Sequence, residues 1–180
     1  MLKYLLYVIV NIPFGIFCYI FNPVIMLFAK NDNLPKWLSW CQTQDSPLDS
    51  DFIRSLFPKY PSDSWKDKYM RGLLWLYRNT GYDFAYDVLG CNITDDSKIV
   101  SFGNPDCERT TGRTGYYFAY DSSKPWYSRG WTLFAAYQYG DSKLCLRVFL
   151  GWKFKAWKEA NKTGRAMLAM HINPISHFYK

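Results

Sequence analysis

Five cysteines, two histidines and a scatter of aspartates are the side chains with which this chain could hold a metal, attack a substrate or move a proton. Cys18, Cys41, Cys91, Cys107 and Cys145 contain no Cys-x-x-Cys pair. A zinc site would have to gather Cys91, Cys107, Cys145 and a histidine with no short-spaced pair to nucleate it. An odd, dispersed set of thiols also argues against a disulfide scaffold and favours a reducing compartment. Histidine is the ordinary proton shuttle near neutral pH; here His171 falls on the polar side of a predicted strand and His177 in the tail. Asp83, Asp87, Asp95 and Asp96 would make a carboxylate site only if brought together, and they lie in stretches rich in Gly and Asn, where Asp is the usual turn residue. Gly112-Arg113-Thr114-Gly115, with Arg109 nearby, could offer backbone N–H groups and guanidinium to a phosphate, but it lacks the Walker spacing and its Lys-Ser/Thr. There is no serine elbow, Cys–His pairing or metalloprotease motif. These residues nominate no catalytic group, metal ligand or cofactor.

The basic side chains are more organised. The chain carries a net charge of +7, and residues 141–180 alone hold eight basic against two acidic side chains. Arg147, Lys153, Lys155, Lys158, Lys162 and Arg165 form this cluster. With Phe149 and Trp157 among them, they could contact phosphates while the rings stack on bases. Alternatively, they could meet anionic lipid headgroups, worth about 1 kcal/mol per cation near the surface. The plain alternative is a solvated face on which Lys and Arg stems cover aromatic rings.

These cations ride on a pattern of period two. Leu144, Leu146, Val148, Leu150, Trp152 and Phe154 alternate with Cys145, Arg147, Phe149, Gly151, Lys153 and Lys155, an apolar side against a largely basic one. Residues 131–139 alternate similarly, and Gly140-Asp141-Ser142-Lys143 is a natural hairpin connection. A third strand is predicted at 165–172 with Ala166, Leu168, Met170 and Ile172 toward the core; 116–121 and 98–102 are further strands. Ser64 followed by Asp67 makes an approximate capping box for a helix over 64–79, whose stripe of Trp65, Tyr69, Leu73, Leu76 and Tyr77 would cover the sheet. A smaller helix is expected to open at Ser46-Pro47 and close at Phe57-Pro58. One octapeptide nearly recurs: residues 80–87 and 114–121 match at seven of eight positions. The match reads as a repeated aromatic turn-and-strand or as coincidence in a Tyr-rich chain.

The N-terminus differs from all this. Between Lys3 and Lys30 lie 26 residues without a charge. A bilayer span needs about 20 mainly apolar residues, so the stretch is long enough, although Pro13 and Pro23 predict a kinked span or a re-entrant hairpin. No small-x-small cleavage site follows its first apolar block, which argues against a removed signal peptide; a buried core helix is the other alternative. Trp37 and Trp40, three apart, read as interfacial anchors or as core tryptophans. With 20% aromatic residues the chain is no disordered polymer. The reading is an α+β protein: residues 1–30 a hydrophobic membrane segment, 31–63 an interfacial connection, and 64–180 a domain with an antiparallel sheet covered by one or two helices.

Trp75-Leu76-Tyr77-Arg78-Asn79-Thr80-Gly81-Tyr82 and Leu146-Arg147-Val148-Phe149-Leu150-Gly151-Trp152-Lys153, behind a hydrophobic N-terminus, resemble small uncharacterised proteins of tailed phages and prophages. The resemblance implies a phage accessory protein at the host inner membrane and transfers no catalytic residue. Three functions are therefore expected, in order: a non-enzymatic, membrane-anchored interaction protein meeting the bilayer or a host membrane protein; a nucleic-acid or nucleotide-binding module on the basic sheet face; and a virion component whose apolar N-terminus is buried in an assembly.

Overall fold

The computed structural model describes residues 2–43, 46–108, 114–154 and 164–177. In chain order they form helix α1 (Leu2–Met26), a 3-10 turn (Lys36–Cys41), α2 (Asp51–Leu56), α3 (Trp65–Arg78) and a single π-helical turn (Phe84–Val88). Strands β1 (Cys91–Ile93), β2 (Ile99–Gly103), β3 (Gly115–Asp121), β4 (Trp131–Gln138), β5 (Leu144–Trp152), β6 (Gly164–Ala166) and β7 (Leu168–His177) follow, with a second 3-10 turn at Pro105–Glu108. The fold is α+β. The chain divides into two compact units, one of residues 1–8 with 89–180 and the other of residues 9–88.

In the helical unit, α3 begins where the capping signal places it: the Asp67 N–H donates to Ser64 Oγ at 3.3 Å. The Asp67 carboxylate does not close a box on Ser64. It accepts from the backbone N–H and the hydroxyl of Ser62, which hold it below the usual carboxylate range. The preceding helix opens later than expected. Ser50, whose Oγ accepts from Ile53 N–H, caps α2, and residues 48–50 are not helical. Trp75 and Leu76 of α3, Ile53 of α2, Leu48, Leu38 and the Ile25 end of α1 share one hydrophobic cluster. Beside it Arg71, fully buried, forks onto Asp49 with bonds of 2.8 and 2.9 Å and donates to the carbonyls of Tyr60 and Ser62.

The other unit holds two sheets. β2-β3-β4-β5-β7 is a five-stranded antiparallel meander, and β6 leaves that sequence to pair with β1. The predicted strands are therefore present, with the last one split in two. The hairpin connection closes as expected, the Tyr139 N–H donating to the Leu144 carbonyl.

The predicted core face of the meander holds only in part: Trp152 and Phe154 are buried as expected, whereas on β3 and β4 the opposite side is the covered one. Tyr117, Ala119, Phe134, Ala136 and Cys145 are buried, and register pairs Phe134 with Phe149 and Ala136 with Arg147 on that side. The expected core residues Leu146, Val148 and Leu150 are half-buried, while Met170 and Ile172 are 44% and 64% exposed. Ala166 and Leu168 are buried as expected. The cause lies outside β5. Strands β3 and β4 are apolar on both sides, and the turn carrying Cys107 lies against the side of the small Ala119 and Ala136, its thiol 4.0 Å from the Phe134 carbonyl oxygen. A strand's own alternation ranks its two sides by polarity and leaves open which of them a later turn covers.

Candidate functional site

The 26-residue uncharged stretch forms one unbroken helix through Pro13 and Pro23. Two kinds of side chain share it. Tyr4, Cys18, Asn22, Ile25 and Met26 are buried, and Tyr7, Asn11 and Phe14 are half-buried. These positions recur at three- and four-residue intervals from one end of α1 to the other, hence along one stripe. Leu5, Ile9, Ile12, Ile16, Ile20 and Val24 are exposed, Ile9 at 65% and Ile20 at 62%. No charged residue lies on the exposed side.

Each part of the stripe has partners within its own unit. Tyr4 packs edge-on against Trp131 and Trp152, with ring centroids 4.9 and 5.7 Å away, and its hydroxyl donates to the Ala169 carbonyl. The Lys3 N–H donates to the Tyr127 carbonyl. Farther along, Phe14 stacks at 4.0 Å on Phe84 and Cys18 Sγ lies 3.5 Å from Cys41 Sγ. Tyr69 donates to the Pro23 carbonyl at 2.8 Å.

Trp37 and Trp40 share a face, because positions i and i+3 eclipse in a 3-10 turn. They are 68% and 49% exposed, Trp37 edge-on to Phe28 and Trp40 against Phe84. They are not core tryptophans.

The described members of the predicted basic face are Arg147, Lys153 and Arg165. Arg147 is half-buried with its guanidinium 5.9 Å from the Phe134 ring, and Lys153 Nζ lies 6.0 Å from the Phe149 ring. Arg165 sits in the two-stranded sheet and donates to Asn92 Oδ1 at 2.7 Å. Lys155, Lys158 and Lys162 lie outside the described residues. Arg147 and Lys153 thus each set a cationic head within about 6 Å of a ring, at the outer limit of a cation–π contact.

The opposite face of the meander, which the alternation of β5 and β7 assigns to the core, is a partly exposed surface. Register places Phe102, Phe118, Leu133, Leu150 and Met170 in one row across all five strands. None of the five is fully buried. The signal for it was the alternation Tyr116, Phe118, Tyr120, masked by the equally apolar Tyr117 and Ala119 between them.

The described thiols are buried, and burial pushes Cys91 above its ordinary value. No group of three or more His, Cys, Asp or Glu side chains gathers among the described residues. His171 is exposed on the side of Phe149.

No curated protein and no solved structure matches the chain. A model of a family of unknown function, DUF7338, matches residues 1–179, nearly the full length, and the chain belongs to that family.

Proposed function

We propose that this is a non-enzymatic accessory protein held on a membrane by α1, which lies along the bilayer surface with its exposed side in the lipid. One observation carries the reading: α1 is covered along one stripe by protein and presents only uncharged, overwhelmingly apolar side chains on the other. Fully burying one Leu, Ile or Phe is worth about 1.5–3 kcal/mol, so this side alone favours lipid strongly. Trp37 and Trp40 suit the headgroup layer, where an indole keeps its ring in apolar surroundings and its N–H in water. The phage resemblance implies the host cytoplasmic membrane as the site of attachment, where a surface anchor would leave the sheet free to meet a host partner.

Flotation of the full-length chain with liposomes tests this. The wild-type protein should float and stay bound in high salt, whereas a triple variant Ile9→Lys, Ile16→Lys, Ile20→Lys should remain at the bottom while keeping its circular dichroism. Equal flotation of the two would overturn the reading.

A further inference from the structure

Beside the first turn of α1, the outer face of the meander carries a recess of about 200 Å³ lined by Phe118, Tyr120, Trp126, Arg129 and Trp131. Three of its rings come from adjacent strands, since Tyr120 and Trp131 are register partners and Phe118 lies two residues before Tyr120. Trp126 and Arg129 come from the loop joining β3 to β4. The walls are thus aromatic and the only charge is a guanidinium.

That guanidinium is unusual in its company. Its carbon lies 4.9 Å from the Tyr120 ring centroid, and its Nε is buried without an acceptor. The carboxylate nearest in the backbone network, Asp121, whose N–H donates to the Gly130 carbonyl, is already taken. It accepts from Ser97, Ser123 and the Lys98 N–H, and pairs with Lys124 at 3.4 Å. Among the described residues Arg129 has no ion pair. Trp131 adds a second donor, its buried indole N–H likewise lacking an acceptor. Buried donors without partners are destabilising, and here two of them border an apolar hollow.

We infer that this recess is a binding site for a flat aromatic ring bearing an anionic group. Offset stacking and edge contacts with Trp126, Phe118 and Trp131 select a planar body. The volume suits one or two fused rings, since a cavity of about 150 Å³ takes up benzene. The anion pairs with the Arg129 guanidinium, a charge-assisted contact that a neutral ring cannot make. The inference is independent of the membrane reading, because it rests on the sheet and its loop alone.

Isothermal titration of the full-length protein in detergent, against empty micelles, tests it with 2-naphthoate as probe and 2-naphthalenemethanol as its neutral counterpart. Naphthoate should bind saturably, and Arg129→Gln should weaken it about tenfold or more, the usual cost of a lost charged hydrogen bond, without changing the weaker binding of the alcohol. Trp126→Ala, an exposed wall whose loss spares the fold, should weaken both. No saturable heat with naphthoate would overturn the inference. So would an affinity unchanged by both substitutions, or equal binding of acid and alcohol.

Discussion

Arg71 and Asp49 show what one buried pair can decide. Burial by itself would raise the Asp49 carboxyl, but the Arg71 fork, with Arg54 at 3.2 Å, outweighs it and holds the group below its ordinary value. A depressed folded value gives stability that is present above the unfolded pKa of about 3.9 and is lost as pH falls through the folded one. Arg71→Met should therefore cost about 3–5 kcal/mol at neutral pH, the usual result of leaving one buried charge alone. The variant should also reverse the sign. With only the half-exposed Arg54 left, burial dominates and the Asp49 value rises, so the loss should shrink as pH drops toward 3 and the carboxyl is neutralised. Urea denaturation of both proteins across that range measures it; a gap independent of pH would contradict the assignment. Asn22 gives a residue prediction of the opposite sign. It is fully buried in α1, with neither Oδ1 nor Nδ2 partnered. Asn22→Leu should raise stability by about 1–3 kcal/mol, because it removes unsatisfied polar atoms and adds apolar contact. The shift in the urea midpoint reads it directly.

At the scale of elements, the near-repeat is the most instructive case. Residues 115–121 are strand β3, whereas the second half of the matching octapeptide, 84–87, belongs to the π-helical turn Phe84–Val88. Local sequence is nearly the same, so the difference is tertiary. In the first copy Phe84 is clamped by Phe14 at 4.0 Å and the Asp83 N–H donates to the Gln42 carbonyl, while in the second every residue from 115 to 120 has a partner in β4. The helix over 64–79, the hairpin at 140–143 and the strands of the meander were legible because each rests on a cap, a turn or an alternation contained in a short window. The covered side of β3 and β4 was not, since it depends on the placement of Cys107 from a turn between β2 and β3. The candidate surfaces divide the same way: the apolar length of α1 is plain in the sequence, but its covered stripe is not. Gly151 ties element to packing. It has φ +93°, and a Cβ there would collide with the Trp131 carbonyl oxygen. Gly151→Ala should cost at least about 1–3 kcal/mol and loosen the β4–β5 pairing beside Trp152, lowering the near-ultraviolet circular dichroism of the tryptophans along with the melting temperature.

For the whole molecule, the question is whether α1 crosses the bilayer or lies on it. Length permits crossing, since 25 helical residues reach beyond about 30 Å of hydrocarbon. The neighbours of the helix argue otherwise. A spanning α1 would carry what packs beside it into the hydrocarbon: the β4 and β5 ends that hold Tyr4, the Cys41 turn and the Gly81 loop that meets Phe14. Irregular backbone in contact with lipid does not survive there, because its N–H and C=O groups have no water to bond. Lying flat, α1 buries its outer side in lipid and keeps that backbone in the aqueous layer, as interfacial helices do. The two arrangements differ in where the helix ends go. Lys3→Cys and Lys36→Cys variants, with the wild-type chain and its buried described thiols as the blank, should both react with a membrane-impermeant maleimide from the same side of oriented inner-membrane vesicles. Labelling of one from the inside and the other only from the outside would mean that α1 spans, while the liposome test of its exposed side would still stand. The basic residues supply a second axis to the same experiment: because Arg147 and Lys153 lie over rings, reversing them to Glu should leave both the labelling pattern and the retention in high salt unchanged.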